Sequence, residues 1–312
     1  MKNDRLLLLI DLEGIIGFSE ENTFQQNWEL AQTEIDSILK LLETQGVHRF
    51  SACVVHNDGS GFPSLLLSSY DVRLYESVDS LTRAVEEVSH AVLIGFHGMR
   101  NTGGCFDHTF RMDFVDLEYN GLRLGEVGIF TRWLAGQGIP TLLVSGEGNF
   151  SEELDGIDCV IHRVPPYLKG ADELNRASRE LADAALSALQ IRDYLQLVEY
   201  AGKGPLTVRV DNPDKYLLLK DLPNADVRDD RFVFPDLNTF IANLYPFCLQ
   251  LNQVIGQIAE KNIRLANRLR EGVPEETLRR QLSAYLSRDF LTLSDADRRA
   301  ILEKAGIAYE DN

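Results

Sequence analysis

Two acidic residues follow an apolar run near the start of the chain. Asp11 and Glu13 stand two positions apart, directly after residues 6–10, which are all leucine or isoleucine. Side chains along an extended backbone alternate between its two sides, so both carboxylates project into one space. Such a pair needs a counter-charge, and a divalent cation such as zinc or manganese supplies it. An exposed acidic loop has the same short pattern, so the pair alone does not decide.

Two of the six histidines stand near the end of another apolar run. His97 follows residues 92–96, and His108 comes eleven residues later in a loop of small residues. Either histidine alone is better explained as a hydrogen-bonded structural residue. Two of them at the same sheet edge as the acids favour a metal ligand and an acid–base catalyst.

Two further motifs are weaker when each is taken alone. The loop 56–60 (His-Asn-Asp-Gly-Ser) follows the apolar stretch 50–55, and Glu126 lies in the first turn of a predicted helix. Turn formation and helix-dipole stabilisation explain these motifs without any ligand. In open α/β sheets, however, sites form beyond the carboxyl ends of the strands, where the acidic pair, this loop and His97 all fall.

Apolar runs and helical periodicity alternate along the first half of the chain and so predict the elements that position these residues. The predicted strands are 6–10, 50–55, 91–96 and 140–144, the predicted helices are about 23–45, 77–89 and 125–135, and a hairpin turns at Asn120-Gly121. This alternation predicts an α/β fold with a mostly parallel sheet and helices on both faces, followed by a smaller mixed α+β part and a helical C-terminal extension.

The pattern changes after residue 146, which suggests the organisation of the chain. A strand at 160–164 and a helix at 172–189 precede shorter strands at 206–210, 216–219 and 231–234, and helical periodicity begins at 237. We therefore expect an α/β metal-site domain over 1–150, a mixed part completing the same fold over 151–255, and the extension over 256–312.

Composition narrows the classes of partner. The formal net charge of −17 argues against nucleic acid and anionic membrane surfaces as partners. The four cysteines form no CxxC pair, and the run 6–10 is too short to cross a membrane or to serve as a signal peptide. We expect a cytoplasmic protein.

Five motifs together resemble the zinc-dependent D-aminopeptidase family of bacterial dipeptide-permease operons. In chain order they are I-D-L-E-G-I-I-G (10–17), N-D-G-S (57–60), G-F-H-G (95–98), His108 and G-E-V-G (125–128). The resemblance is good over residues 5–150, weaker to about 255, and absent beyond.

The resemblance implies a two-zinc cluster, with manganese as an alternative metal. Its ligands would be Asp11, Glu13, His97 and Glu126, with one carboxylate bridging, and His108 would be the catalytic histidine. The family's remaining ligand is a histidine at the position of Ser60. Neutral serine is a poor zinc ligand, so one metal position should be weakened unless His56, Asp58 or water fills the gap.

The resemblance further implies a metal-dependent hydrolase that cleaves short peptides or small amides with a metal-activated water, and a ring-like homo-oligomer. Two alternatives stay open, the first of them because of Ser60. One is a degenerate homologue that acts as a metal-binding or assembly subunit without peptidase activity. The other is a metallohydrolase of a different substrate, such as a modified amino acid or a phosphoester.

Overall fold

Strands and helices alternate along most of the chain in the computed structural model, which describes residues 5–56, 67, 69–75, 78–168, 170–191, 204–211, 224–228 and 231–251. In chain order the elements are β1 (Leu6–Ile10), α1 (Phe24–Thr44), β2 (Arg49–Val54), β3 (Asp71–Tyr75), α2 (Leu81–Ala84), β4 (His90–His97), β5 (Phe114–Tyr119), β6 (Leu122–Arg123), α3 (Glu126–Gly136), β7 (Thr141–Glu147), β8 (Val160–Arg163), α4 (Ala171–Ile191), β9 (Leu206–Val210), β10 (Asp226–Arg228) and β11 (Arg231–Phe234). Helical structure also covers residues 237–251. None of the described helices is long and apolar enough to cross a membrane.

Six parallel strands form the main sheet, in the order β3-β2-β1-β4-β7-β8. This sheet belongs to the first of two compact units, which comprises residues 1–208 and 234–245. Alternate residues of β1 pack with α1 and α4 in one apolar core, whereas α3 packs on β4 and β7 through Phe130 and Phe96. The prediction of an α/β fold with helices on both faces of a parallel sheet is confirmed, and the hairpin of β5 and β6 adds antiparallel structure.

Local sequence signals fix several boundaries. At the start of α1, the hydroxyl of Thr23 accepts the Gln26 backbone N–H (3.2 Å), and the Gln26 side chain accepts the Thr23 backbone N–H (2.7 Å). This reciprocal cap satisfies two backbone donors that the first helical turn leaves unpaired. Asn120 and Gly121 both adopt positive φ, which the tight turn between β5 and β6 requires.

The structure differs from the sequence prediction in two places before β4. The edge strand β3 was not predicted, because its residues are at least partly exposed and carry no buried apolar run. The helix expected near 77–89 is reduced to a short 3₁₀ turn and the four residues of α2. The chain must leave the helix early, because the N–H of Ser89 donates to the carbonyl of Arg5 (3.0 Å) where β1 begins.

The second compact unit comprises residues 209–233 and 246–312. Its strands β10 and β11 pair antiparallel, and Phe232 contacts Phe247 edge to face with ring centroids 5.0 Å apart. The predicted strand at 216–219 and the predicted extension at 256–312 lie outside the described residues. Both stay predictions.

A buried carboxyl joins α1 to the loop that follows β1. Glu34, only 5% exposed, accepts the backbone N–H of Ile16 (2.7 Å) and the hydroxyl of Ser145 (3.4 Å). Burial raises the pKa of Glu34 to about 7, against its ordinary value of 4.5. These two hydrogen bonds lower the pKa by less than burial raises it.

Glu34→Gln should remove part of the pH dependence of stability. A raised carboxyl pKa gives stability that is full at low pH and is lost as the pH rises through 7, because the buried group must then ionise. Between pH 5 and pH 8 the free energy of unfolding of the metal-free parent should therefore fall by about 3 kcal/mol relative to the variant. Urea denaturation at the two pH values measures this difference. Equal changes in both proteins would contradict it.

Candidate metal centre

The carboxyl ends of three neighbouring strands bring the site together. Asp11 and Glu13 follow β1, His56 follows β2, and His97 is the last residue of β4. These strands are adjacent and parallel in the order β2-β1-β4, so their ends meet at one edge of the sheet. Glu126 joins them from the first turn of α3.

A bulge in β4 directs His97 toward the acids. Gly95 has φ +76°, and the register of β4 against β7 shifts between Leu93 and Phe96. An added Cβ at Gly95 would overlap the carbonyl oxygen of Asp11, so only glycine fits at this close approach. Bulges of this kind re-aim the side chains that follow them.

One group of possible ligands combines Asp11, Glu13 and His56. The Nδ1 of His56 lies 2.9 Å from Oε2 of Glu13 and 3.4 Å from Oδ1 of Asp11. Burial, and then the charge of Glu13, raises the pKa of Asp11 to about 7. Burial acts in the same direction on Glu13, but the hydrogen bond with His56 and the charges of His56 and His97 together outweigh it and lower the Glu13 pKa. The two carboxylates therefore carry different proton affinities in the metal-free protein.

The other group combines His97, His108 and Glu126. The Nε2 of His97 lies 3.3 Å from Oε1 of Glu126 and 3.6 Å from Oδ2 of Asp11. The Nδ1–H of His97 donates to the Gly98 carbonyl (3.0 Å), which leaves Nε2 to face the acids. Burial lowers the pKa of His97, but the charge of Glu126 and the hydrogen bond to it raise that pKa well above its ordinary value.

Asp11 links the two groups. It is 2% exposed, with Oδ1 facing His56 and Oδ2 facing His97. Within the described part of the chain, Oδ2 is buried and accepts no hydrogen bond. A buried carboxylate oxygen without a donor is costly unless a cation neutralises it, so the Asp11 carboxylate is suited to serve both groups, with one oxygen toward each.

The donor atoms fit two divalent cations. In each group one donor atom per residue can be chosen so that all three lie within 4.8 Å of one another. Donors around a tetrahedral zinc ion, with bonds of about 2.0–2.1 Å, lie roughly 3.3 Å apart. The distances from His97 to Glu126 and to Asp11 are close to that value. Carboxylate oxygens combined with imidazole nitrogens are typical of zinc or manganese sites.

Two acids hold the loop that carries His108. Asp107 accepts the backbone N–H groups of Thr102 and Gly104, both at 2.8 Å, and the buried Glu147 accepts the N–H of Cys105 at 3.1 Å. The Nδ1–H of His108 donates to the Phe106 carbonyl (2.9 Å). The imidazole stacks on His97, with ring centroids 3.9 Å apart and planes 11° apart. These contacts fix His108 beside His97, and they commit its Nδ1 rather than its Nε2 to the backbone.

The structure brings together Asp11, Glu13, His97, His108 and Glu126, the residues that the sequence motifs proposed. Ser60 lies outside the described residues. His56 stands at the site although the sequence offered it only as one way to replace the missing ligand.

Sequence reasoning missed a fully buried acid, Glu153. Its carboxylate accepts backbone N–H groups from Met99 (3.1 Å), Gly125 (2.9 Å) and Gly128 (3.0 Å), and burial raises its pKa to about 7. These bonds tie the segment after β4 to the first turn of α3. The first of these segments directly follows His97, and the second contains Glu126. Glu153 therefore positions both ligands.

Glu153→Ala should destabilise the protein and weaken metal binding. It leaves three buried N–H groups without their acceptor, at a cost of about 3 kcal/mol or more in unfolding free energy. Misplacing His97 and Glu126 should lower metal affinity about 10- to 100-fold, as loss of a ligand's supporting partner commonly does. Denaturation and metal titration of Glu153→Ala, with the exposed neighbour variant Glu152→Ala as control, measure both effects. Identical behaviour of the two variants would contradict this role.

Comparison with known proteins shows the family. A protein-family model described as D-aminopeptidase matches residues 5–241. The chain belongs to the D-aminopeptidase family. Family membership indicates that the chain is a peptidase, a class of hydrolase.

A solved structure shares the fold of this D-aminopeptidase family member. The zinc-dependent D-aminopeptidase DppA from Bacillus subtilis, described as a self-compartmentalizing protease, is 16% identical with a TM-score of 0.66, covering 79% of this chain and 98% of DppA. An oxidoreductase from Corynebacterium diphtheriae is 13% identical, and the match covers 63% of this chain and 100% of the oxidoreductase chain. Its TM-score of 0.33 is too low to support an argument. No curated protein matches the chain significantly.

Proposed function

We propose that the chain is a metal-dependent aminopeptidase or related amidohydrolase that cleaves short peptides or small amides. The observation that carries this proposal is Asp11, whose two carboxylate oxygens each face one group of possible ligands. Two zinc ions are the expected cofactor, with manganese as the alternative. The zinc dependence of DppA supports the choice of metal.

The chain's own residues would divide the binding of the ions. Asp11 and Glu13 would hold one ion, His97 and Glu126 the other, and Asp11 would bridge them. When bound, the ions would lower the pKa of a water molecule and polarise the scissile carbonyl. The Gly98 carbonyl, which accepts from His97, and the Phe110 N–H, which donates to Glu126 (2.6 Å), keep these two ligands oriented.

His108 is the residue that we propose for proton transfer. Its Nδ1–H is committed to the Phe106 carbonyl, so Nε2 is the atom that would take up a proton and deliver it to the departing amine. Its protonated form would also stabilise the oxyanion that develops on the carbonyl. The stack on His97 places the ring next to the reacting groups.

The charge around the site suits a substrate with a free α-amino group. Asp11, Glu13, Glu126 and Glu147 stand at this sheet edge or its border, and the chain has 48 acidic residues against 31 basic ones. A terminal ammonium would be attracted to such a site and would hydrogen-bond to a carboxylate. We therefore propose short peptides with a free N-terminus as the substrate class.

Assembly and location follow as further parts of the proposal. The description of DppA as self-compartmentalizing supports a homo-oligomer, for which we propose a ring-like arrangement. The four cysteines, all within the described part of the chain, form no disulfide, which fits a reducing compartment, and we propose a cytoplasmic location.

A second candidate function is favoured by Ser60, where the family resemblance places a histidine ligand. A chain with a weakened metal position would act as a metal-binding or assembly subunit without peptidase activity. This candidate predicts metal binding or oligomerisation without turnover.

An amide panel separates the two candidates. Metal-free protein is assayed on D- and L-aminoacyl amides and dipeptides, with and without added zinc or manganese. N-acetylated forms of the same compounds are the matched control. We expect metal-dependent hydrolysis of the free-amine compounds and little of the acetylated ones. No turnover of any amide by protein that carries metal would rule out the peptidase and favour the subunit.

A further inference from the structure

The family resemblance leaves the Asp11–Glu13 side of the centre short of one nitrogen donor, because Ser60 takes the place of a histidine. Two carboxylates alone form a poor zinc site, since catalytic zinc commonly has three protein ligands and one open position. Among the described residues, the imidazole whose donor atom groups with those of both Asp11 and Glu13 is that of His56.

Strand pairing places His56 at this position. β2 pairs in parallel with β1 so that Val54 stands opposite Ile10, and the N–H of Val55 donates to the Ile10 carbonyl (2.8 Å). In the same register Val55 comes beside Asp11, and His56 follows Val55 directly. The register of the sheet therefore brings the start of the segment after β2, which carries His56, next to Asp11.

The distances are those of a ligand set. Nδ1 of His56 is 3.4 Å from Oδ1 of Asp11 and 2.9 Å from Oε2 of Glu13. Donor atoms around one zinc ion lie roughly 3.3 Å apart, so small movements of the Glu13 side chain are enough to admit an ion between the three atoms. The imidazole is 17% exposed, which leaves a path for the ion from solvent.

Aromatic packing keeps the imidazole in place. The Trp28 ring contacts His56 edge to face, and Phe24 lies beside it, each with its ring centroid 6.0 Å from that of the imidazole. Both aromatic residues belong to α1, which the Thr23 cap anchors. A ligand whose rotamer is fixed by packing needs little reordering when the ion binds.

We propose that His56 is the metal ligand that replaces the histidine missing at position 60. With Asp11 and Glu13 it completes a three-ligand site with an open position, next to the site of His97 and Glu126. The inference rests on the proposed function in one respect, that the centre binds metal at all. It adds that the third ligand on this side is His56, directly after β2, instead of a histidine at position 60 of the following loop.

The test measures bound metal rather than activity. His56→Ala and His56→Gln are compared with the parent and with His48→Ala, which removes an exposed histidine just before β2. After equilibrium dialysis against zinc, elemental mass spectrometry gives the ions per chain. Thermal denaturation of the metal-free proteins checks that the variants fold, and His56→Gln retains a side chain that fills the space if His56→Ala is unstable.

We expect two ions in the parent and in His48→Ala, but one in both His56 variants at a zinc concentration that just saturates the parent. The second ion should then require at least about a tenfold higher zinc concentration. Two ions bound with parental affinity in both His56 variants would overturn the ligand assignment and leave the proposed function standing. A parent that binds no zinc would overturn both.

Discussion

Replacing His97 with alanine is expected to remove one metal ion per chain and to lower kcat/KM for amide hydrolysis by at least roughly 10³-fold. His97 is 1% exposed, and its Nε2 lies between Glu126 and the Oδ2 atom of Asp11. Without this imidazole, two carboxylates share a buried pocket with one neutralising group fewer. The repulsion between these carboxylates and the loss of a nitrogen donor both weaken the binding of the metal ion.

The control for His97→Ala lies on the same strand. His90 begins β4 at the opposite end of the sheet, away from the metal centre. His90→Ala should therefore keep two ions and parental activity. Elemental analysis and initial-rate kinetics of the two variants provide the comparison. A His97→Ala protein that retains both ions would show that the second group of donors is not a metal site.

His108→Ala should lower kcat by about 10²- to 10⁴-fold and leave two ions bound. The residue is held by its own Nδ1–H bond to Phe106 and by the stack on His97, so its removal takes away the proton-transfer group without unpairing a ligand. Initial-rate kinetics of the metal-loaded parent and variant measure the loss.

The same experiment also distinguishes a catalyst from a ligand. A donor atom of His108 lies within 4.8 Å of donors from His97 and Glu126, so the geometry would admit it to the second ion as well. Loss of one ion in His108→Ala would contradict the catalytic role and assign His108 to the metal. The metal content of the variant should therefore be measured before its kinetics.

The elements of the fold that the sequence predicted correctly are those with strong local signals. The helix α1 follows from apolar residues that recur with helical spacing, and β1 follows from a run that is buried on both faces. β3 was missed because an edge strand needs no continuous apolar pattern. The helix near 77–89 was overestimated because contacts with β1 end it, and no local rule contains those contacts.

The site shows the same division between local and distant causes. Asp11, Glu13 and His97 were recognised because each stands at the end of a predicted strand. His56 was treated as part of a turn, since its nearness to Asp11 depends on the register between β1 and β2. Glu153 could not be recognised at all, because the Met99 N–H that it accepts comes from 54 residues away along the chain.

The most direct test of a metal-dependent hydrolase is a zinc titration of metal-free protein in which bound metal and hydrolysis of a free-amine aminoacyl amide are measured on the same samples. We expect no activity without metal and activity that rises to a plateau at two ions per chain. Activity that survives complete removal of metal would contradict the account, and so would protein that binds two ions and hydrolyses no amide.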